Sequence, residues 1–117
     1  MPTLFESDMY IVKQGWLSGW RVIFKPSGTT ILPTLDLKIR IGLIWKKIRT
    51  GKYKKMSPPS NDAESILFET FAVCCLDPKS AATIEFLGMD LDDLATSIVY
   101  QANIDYTARS LSKVNKL

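Results

Sequence analysis

Residues 30–48 read TILPTLDLKIRIGLIWKKI, and the conformation of this stretch decides how the rest of the chain is organised. Ile31, Pro33, Leu35, Leu37, Ile39, Ile41, Leu43 and Trp45 fill its odd positions; Thr34, Asp36, Lys38, Arg40 and Gly42 fill even ones. Apolar and polar residues alternating with period two mark a half-buried β-strand, whose successive side chains point to opposite faces. The alternation predicts that the odd face joins the core. Pro33 cannot donate a ladder hydrogen bond and belongs at an edge or a bulge, so 30–34 and 35–46 are expected as two strands or one bent strand.

On the N-terminal side, Trp20–Lys25 (WRVIFK) is a second alternating run, with Trp20, Val22 and Phe24 on one face. Pro26-Ser27-Gly28 between the two runs is turn chemistry: proline presets φ and glycine tolerates positive φ. The expected unit is a β-hairpin of 20–25 with 30–46. Met9–Lys13 is a further short strand, 14–19 a turn carrying Trp16 and Leu17 between glycines, and 1–8 a loose arm anchored by Leu4 and Phe5.

On the C-terminal side, the stretch runs into KKIRTGKYKK. Residues 49–61 (RTGKYKKMSPPSN) combine Gly51, Pro58 and Pro59 with basic side chains and read as an exposed loop joining two halves. Asn61 with Glu64 has capping-box spacing ahead of a helix over 62–76 that is apolar nearly all round and ends before Pro78. Residues 81–87 (AATIEFL) suit a returning strand, broken by Gly88. Asp90 opens a last helix, whose Leu91, Leu94, Ala95, Ile98, Val99, Ala102 and Tyr106 form one stripe. Beyond Asn103 the apolar residues Ile104, Ala108 and Leu111 move to the opposite face, so the helix is expected to break at 103–106 or to offer its end to another partner. The resulting fold class is α+β. A small antiparallel sheet from the N-terminal half packs against two helices from the C-terminal half, in a single domain over 1–117.

Net charge is +3, but it is unevenly spread. Residues 1–55 hold eleven Lys/Arg and three Asp/Glu, residues 56–117 four and nine. This asymmetry points the first half toward an anionic partner, and equally lets the two halves attract one another within or between copies. Cys74 and Cys75 are adjacent, a spacing that strains a disulfide, and with no other cysteine they read as buried reduced thiols in a cytosol-like compartment. Residues 1–20 lack a signal-peptide pattern, and no apolar run is long enough to span a bilayer, so any membrane contact is expected to be peripheral.

The chain has no histidine, which removes Ser-His-Asp and Cys-His catalysis and the commonest general base. It has neither a Walker loop nor GxGxxG, and two cysteines are too few for a zinc site. Asp90, Asp92 and Asp93 suit a helix N-terminus without any metal. A non-enzymatic protein with no cofactor, no metal and no small-molecule substrate is therefore expected.

The strongest functional signal is basic. Lys38, Arg40, Lys46, Lys47, Arg49, Lys52, Lys54 and Lys55 fall within eighteen positions. On a strand followed by a draping loop they would form one anion-binding face. Trp45 and Tyr53, with Trp16 in its glycine-flanked turn, are the candidate aromatic contacts for bases or for a membrane interface. The plain alternatives are a solvated strand face and tryptophans in the core. Ser57-Pro58 has the form of a phosphorylation switch beside the basic loop. Two anionic partners compete, nucleic acid and an acidic membrane surface, with self-association through Ile104, Ala108 and Leu111 into a homo-oligomer. The expected function is that of a small binding and assembly protein, of the kind found as viral structural, matrix or accessory proteins. A protein-interaction module or inhibitor that docks an acidic protein is the alternative.

Overall fold

The computed structural model describes residues 3–15, 19–56 and 62–115. The architecture is α+β: a four-stranded antiparallel meander followed by helices. The strands are β1 (Thr3–Glu6), β2 (Tyr10–Gly15), β3 (Gly19–Phe24) and β4 (Thr29–Ile31), in the order β1-β2-β3-β4. The arm expected at 1–8 thus contributes a strand. The link to β2 is closed by Ser7, whose Oγ accepts from the amides of Met9 (3.3 Å) and Tyr10 (3.2 Å). The hairpin turn at 26–28 forms as its residues predict: Gly28 adopts φ +69° and its amide donates to the Phe24 carbonyl at 2.8 Å.

The returning strand of that hairpin is short. After Ile31 the chain leaves the sheet, and the rest of the 30–48 stretch is helix α1 (Leu35–Ile48), not a strand. Thr34 caps it, its Oγ1 accepting from the Leu37 amide at 3.4 Å. Asp36 in the first turn and Lys46 and Lys47 in the last complement the helix dipole. Leu37, Ile41, Ile44 and Ile48 are buried, a spacing of four, three and four. Leu35, Ile39 and Leu43, placed by alternation on the inner face, are exposed.

Of the four helices that follow, two occupy ground expected to be non-helical. Residues 51–56 of the supposed loop form helix α2 (Gly51–Met56). The helix at 62–76 is found as expected, α3 (Asp62–Leu76), although its Asn61 cap lies outside the described residues. The returning strand at 81–87 is instead helix α4 (Ala81–Gly88), capped by Ser80, whose Oγ accepts from the Thr83 amide at 3.1 Å. Thr83 is fully buried; its hydroxyl donates to the Asp77 carbonyl at 2.7 Å, which stops the chain after α3 and turns it into α4. Helix α5 (Leu91–Asn115) begins at Asp90, whose Oδ2 accepts from the Asp92 (3.0 Å) and Asp93 (3.3 Å) amides. It does not break at 103–106. Arg109 Nη2 bonds Asp62 Oδ2 at 2.6 Å and holds the later half of α5 against the start of α3.

One core joins sheet and helices. Val12 and Val22 pair across β2 and β3 and are fully buried. Trp20 on the same face meets Trp45 of α1 edge-on at 5.3 Å, and Phe68 and Phe71 of α3 at 5.8 and 6.0 Å. Phe68, Phe71, Leu67 and Ala72 make α3 the central element, as its all-round apolar composition predicts, with Leu94, Ala95, Ile98, Val99 and Ala102 of α5 packed on it. Cys74 and Cys75 are free and buried; burial, with the neighbouring Cys74 thiol, pushes the Cys75 thiol up to about 12, so it stays protonated and a poor nucleophile. Among the described residues, no helix is long and apolar enough to cross a membrane.

Candidate anion-binding corner

The basic segment is shaped by the junction of α1 and α2. Arg49 is the C-cap of α1, and Thr50 Oγ1 donates to the carbonyls of Lys46 (3.0 Å) and Lys47 (3.4 Å). Gly51, at φ +58°, lets the chain turn directly into α2, a conformation that side chains beyond glycine resist.

Helix α2 is then clamped to the N-terminal turn of α5. Tyr53 is buried; its hydroxyl donates to the Asp92 carbonyl at 3.2 Å and accepts from Thr96 Oγ1 at 3.3 Å. Lys47 Nζ donates to Asp92 Oδ1 at 2.9 Å. That hydrogen bond holds the Asp92 carboxyl below its usual range and the Lys47 ammonium above its own. Asp92 thus acts through both its carbonyl and its carboxylate. In the sequence the helix dipole alone accounts for Asp92; a residue that joins two segments some forty positions apart leaves no local signal.

The eight predicted anion-binding residues do not share one face. On a strand, Lys38 and Arg40 would lie side by side; on a helix, residues two apart point to nearly opposite sides. Arg40 is turned toward α4 and donates to the Met89 carbonyl at 2.6 Å, while Lys38 lies beside Gly19 of β3. Lys47 is engaged by Asp92. Arg49 lies 4.7 Å from the Trp45 ring and 3.4 Å from Glu64 Oε1, yet stays more than half exposed. Lys52 sits 5.0 Å over the Tyr53 ring. Lys46, Lys54 and Lys55 are exposed and form no ion pair among the described residues. Lys46 and Arg49 also line a shallow recess of about 270 Å³ with Gly42, Trp45 and Thr50.

The aromatic contacts are placed differently from the expectation. Tyr53 is a core residue whose ring is not open to a base. Trp45 is half-buried in the aromatic cluster, and its indole N–H donates to Glu64 Oε1 at 2.8 Å. Trp16 and Ser57 lie outside the described residues. Ile104, Ala108 and Leu111 are exposed along one side of α5. Comparison of the chain with protein-family models, with curated proteins and with solved structures finds no match.

Proposed function

We propose that the protein is a non-enzymatic binding and assembly protein whose basic corner, at the end of α1 and along α2, engages the phosphates of a nucleic acid. The observation that carries this reading is the state of Lys46, Lys54 and Lys55: exposed cations without ion pairs among the described residues, on a segment held in place by Tyr53 and Lys47. A fixed backbone presents these charges at defined spacing. Each lysine that meets a phosphate releases a condensed counterion, so binding is driven by salt-dependent entropy. The exposed Arg49 and Lys52 extend the same segment. Association of copies would array the basic corners along a polyanion.

The test is a titration of the full chain into labelled single-stranded RNA across a salt series. Wild type should bind with an affinity that falls steeply as salt rises. The Lys46/Lys54/Lys55→Glu variant should lose binding, and single Lys→Gln variants should each reduce the log–log salt slope by about 0.7. Absence of RNA binding at low salt, or unchanged affinity in the triple variant, refutes the reading. Binding to acidic vesicles in place of RNA, abolished by the same variant, would instead assign the corner to a membrane surface.

A further inference from the structure

The outward side of α1 is apolar where a solvated helix is ordinarily polar. Leu35 is 69% exposed, Ile39 52% and Leu43 45%, each one turn after the last, and Leu32 precedes them at 64%. Beside this ridge lies a groove of about 340 Å³ lined by Asp36, Ile39, Arg40 and Leu43 from α1 and by Leu87 and Leu91 from the α4–α5 junction. Ridge and groove share Ile39 and Leu43, and among the described residues nothing covers the ridge.

We infer that this surface binds a second copy of the chain, with the two α1 helices packed antiparallel about a two-fold axis near Ile39. Three features favour a second copy. The ridge is symmetric about its centre: Leu35 and Leu43 stand four residues either side of Ile39, so an antiparallel partner sets Leu35 opposite Leu43 and Ile39 opposite itself, as an isologous interface requires. The charges follow the same symmetry. Asp36 at the start of α1 has no ion pair among the described residues, and antiparallel pairing brings it toward the basic end of the other α1, where Lys46 is also unpaired; parallel pairing would set like against like. Arg40 is already fixed by the Met89 carbonyl, on the same flank as Asp36, and lies about two residues of helix rise from the second copy's Asp36 in this register. The area is also sufficient. The four ridge residues expose on the order of 400 Å² per copy, so a pair with its groove contacts buries about 1,000 Å², the lower bound of specific, weakly held interfaces.

This proposal rests on the assembly half of the function above and names its face; it does not depend on what the basic corner binds. The experiment is sedimentation equilibrium of the full chain over a range of concentrations, with thermal melts to check folding. Wild type should self-associate to a dimer. Ile39→Glu sets two carboxylates at the axis and should raise the dimer dissociation constant at least about 100-fold. Its melt at low concentration should match wild type, because the site is half exposed in the protomer. Ile39→Cys should form an intermolecular disulfide on mild oxidation, whereas Leu35→Cys should cross-link to Leu43→Cys and not to itself; buried Cys74 and Cys75 do not compete. Ile104→Glu should leave the dimer intact. A wild-type protein that stays monomeric, a dimer that survives Ile39→Glu, or a dimer that dissociates with Ile104→Glu instead would each overturn the proposal. So would a monomer whose binding to acidic vesicles is lost in Ile39→Glu, since the ridge would then serve a lipid surface. RNA affinity, read through variants of Lys54 and Lys55 alone, reports separately on the basic corner, because Lys46 also takes part in the pairing of α1.

Discussion

Adjacent residues Leu43 and Ile44 give opposite answers under the two conformations open to residues 35–48. In an alternating strand Leu43 belongs to the inner face and Ile44 to the outer. In α1, Ile44 is fully buried and Leu43 is 45% exposed. Ile44→Ala removes three carbons from the core, about 2.4 kcal/mol at roughly 0.8 kcal/mol per methylene. Ile44 is fully buried, so a cavity term adds to this, and the expected total is about 3–4 kcal/mol. Leu43→Ala removes the same number of carbons from a half-exposed site and should cost about 1 kcal/mol. At about 4 °C per kcal/mol for a domain of this size, the melting temperature should fall by about 12–16 °C for Ile44→Ala and about 4 °C for Leu43→Ala. The assay is urea unfolding followed by circular dichroism and tryptophan fluorescence, at protein concentrations low enough to keep the chain monomeric. An unchanged denaturant slope confirms that the variants unfold from the same state. If Leu43→Ala costs as much as Ile44→Ala, the helical register is wrong.

Three further perturbations test the structure at separate points. Gly42 lies inside α1, where an added Cβ meets nothing within 4 Å, so Gly42→Ala should stabilise the protein by about 0.5–1 kcal/mol in the same unfolding assay. Thr83→Val removes the 2.7 Å hydroxyl donor from the Asp77 carbonyl, which keeps the Ser80 amide at 3.2 Å, and should cost about 1 kcal/mol; a neutral result would show that this hydroxyl does not hold the α3–α4 corner. The Asp92–Lys47 pair should contribute over a defined pH window. Asp92 is depressed below its ordinary 3.8, so its contribution is complete above that value and is lost as the pH falls through the lower folded value. Lys47 is raised above 10.5, so its contribution is complete below that value and is lost as the pH rises through the higher folded value. The stability difference between wild type and Asp92→Asn should therefore be flat from about pH 5 to 9 and shrink on the acid side; a difference that grows in acid would contradict the pairing.

The two helices that the sequence revealed best are those with unambiguous local signals. The apolar run of 62–76 is too long for a strand and ends before a proline, and Asp90 stands at the start of a strong helical stripe. The hairpin turn was equally plain, because proline and glycine restrict the backbone wherever they occur. The misreading of 35–48 has a physical origin. Leu37 and Ile41, four residues apart, lie on one face both in a strand and in a helix, so they satisfy both periods. Ile44 and Ile48 fit only the helical one. Thr34 three positions before Leu37, Asp36 between them, and Lys46 and Lys47 at the far end carry the helical signal: a cap, an acidic first turn and a basic last turn. At 81–87 the run was too short for either period to win, and Ser80 with Thr83 marked the cap of a helix.

The candidate site was legible in composition and not in arrangement. Sequence alone established the basic first half, the adjacent reduced cysteines, the turn at 26–28, the central helix and the start of the last one, because each depends on residues close together in the chain. Tertiary structure decided that α1 is a helix, that Lys38 and Arg40 leave the basic face, that Tyr53 is buried and that Asp92 anchors the corner. The physical reason is common to these cases. Burial and ion pairing depend on which distant surface arrives opposite a residue, and α3, α4 and α5 are that surface for α1 and α2.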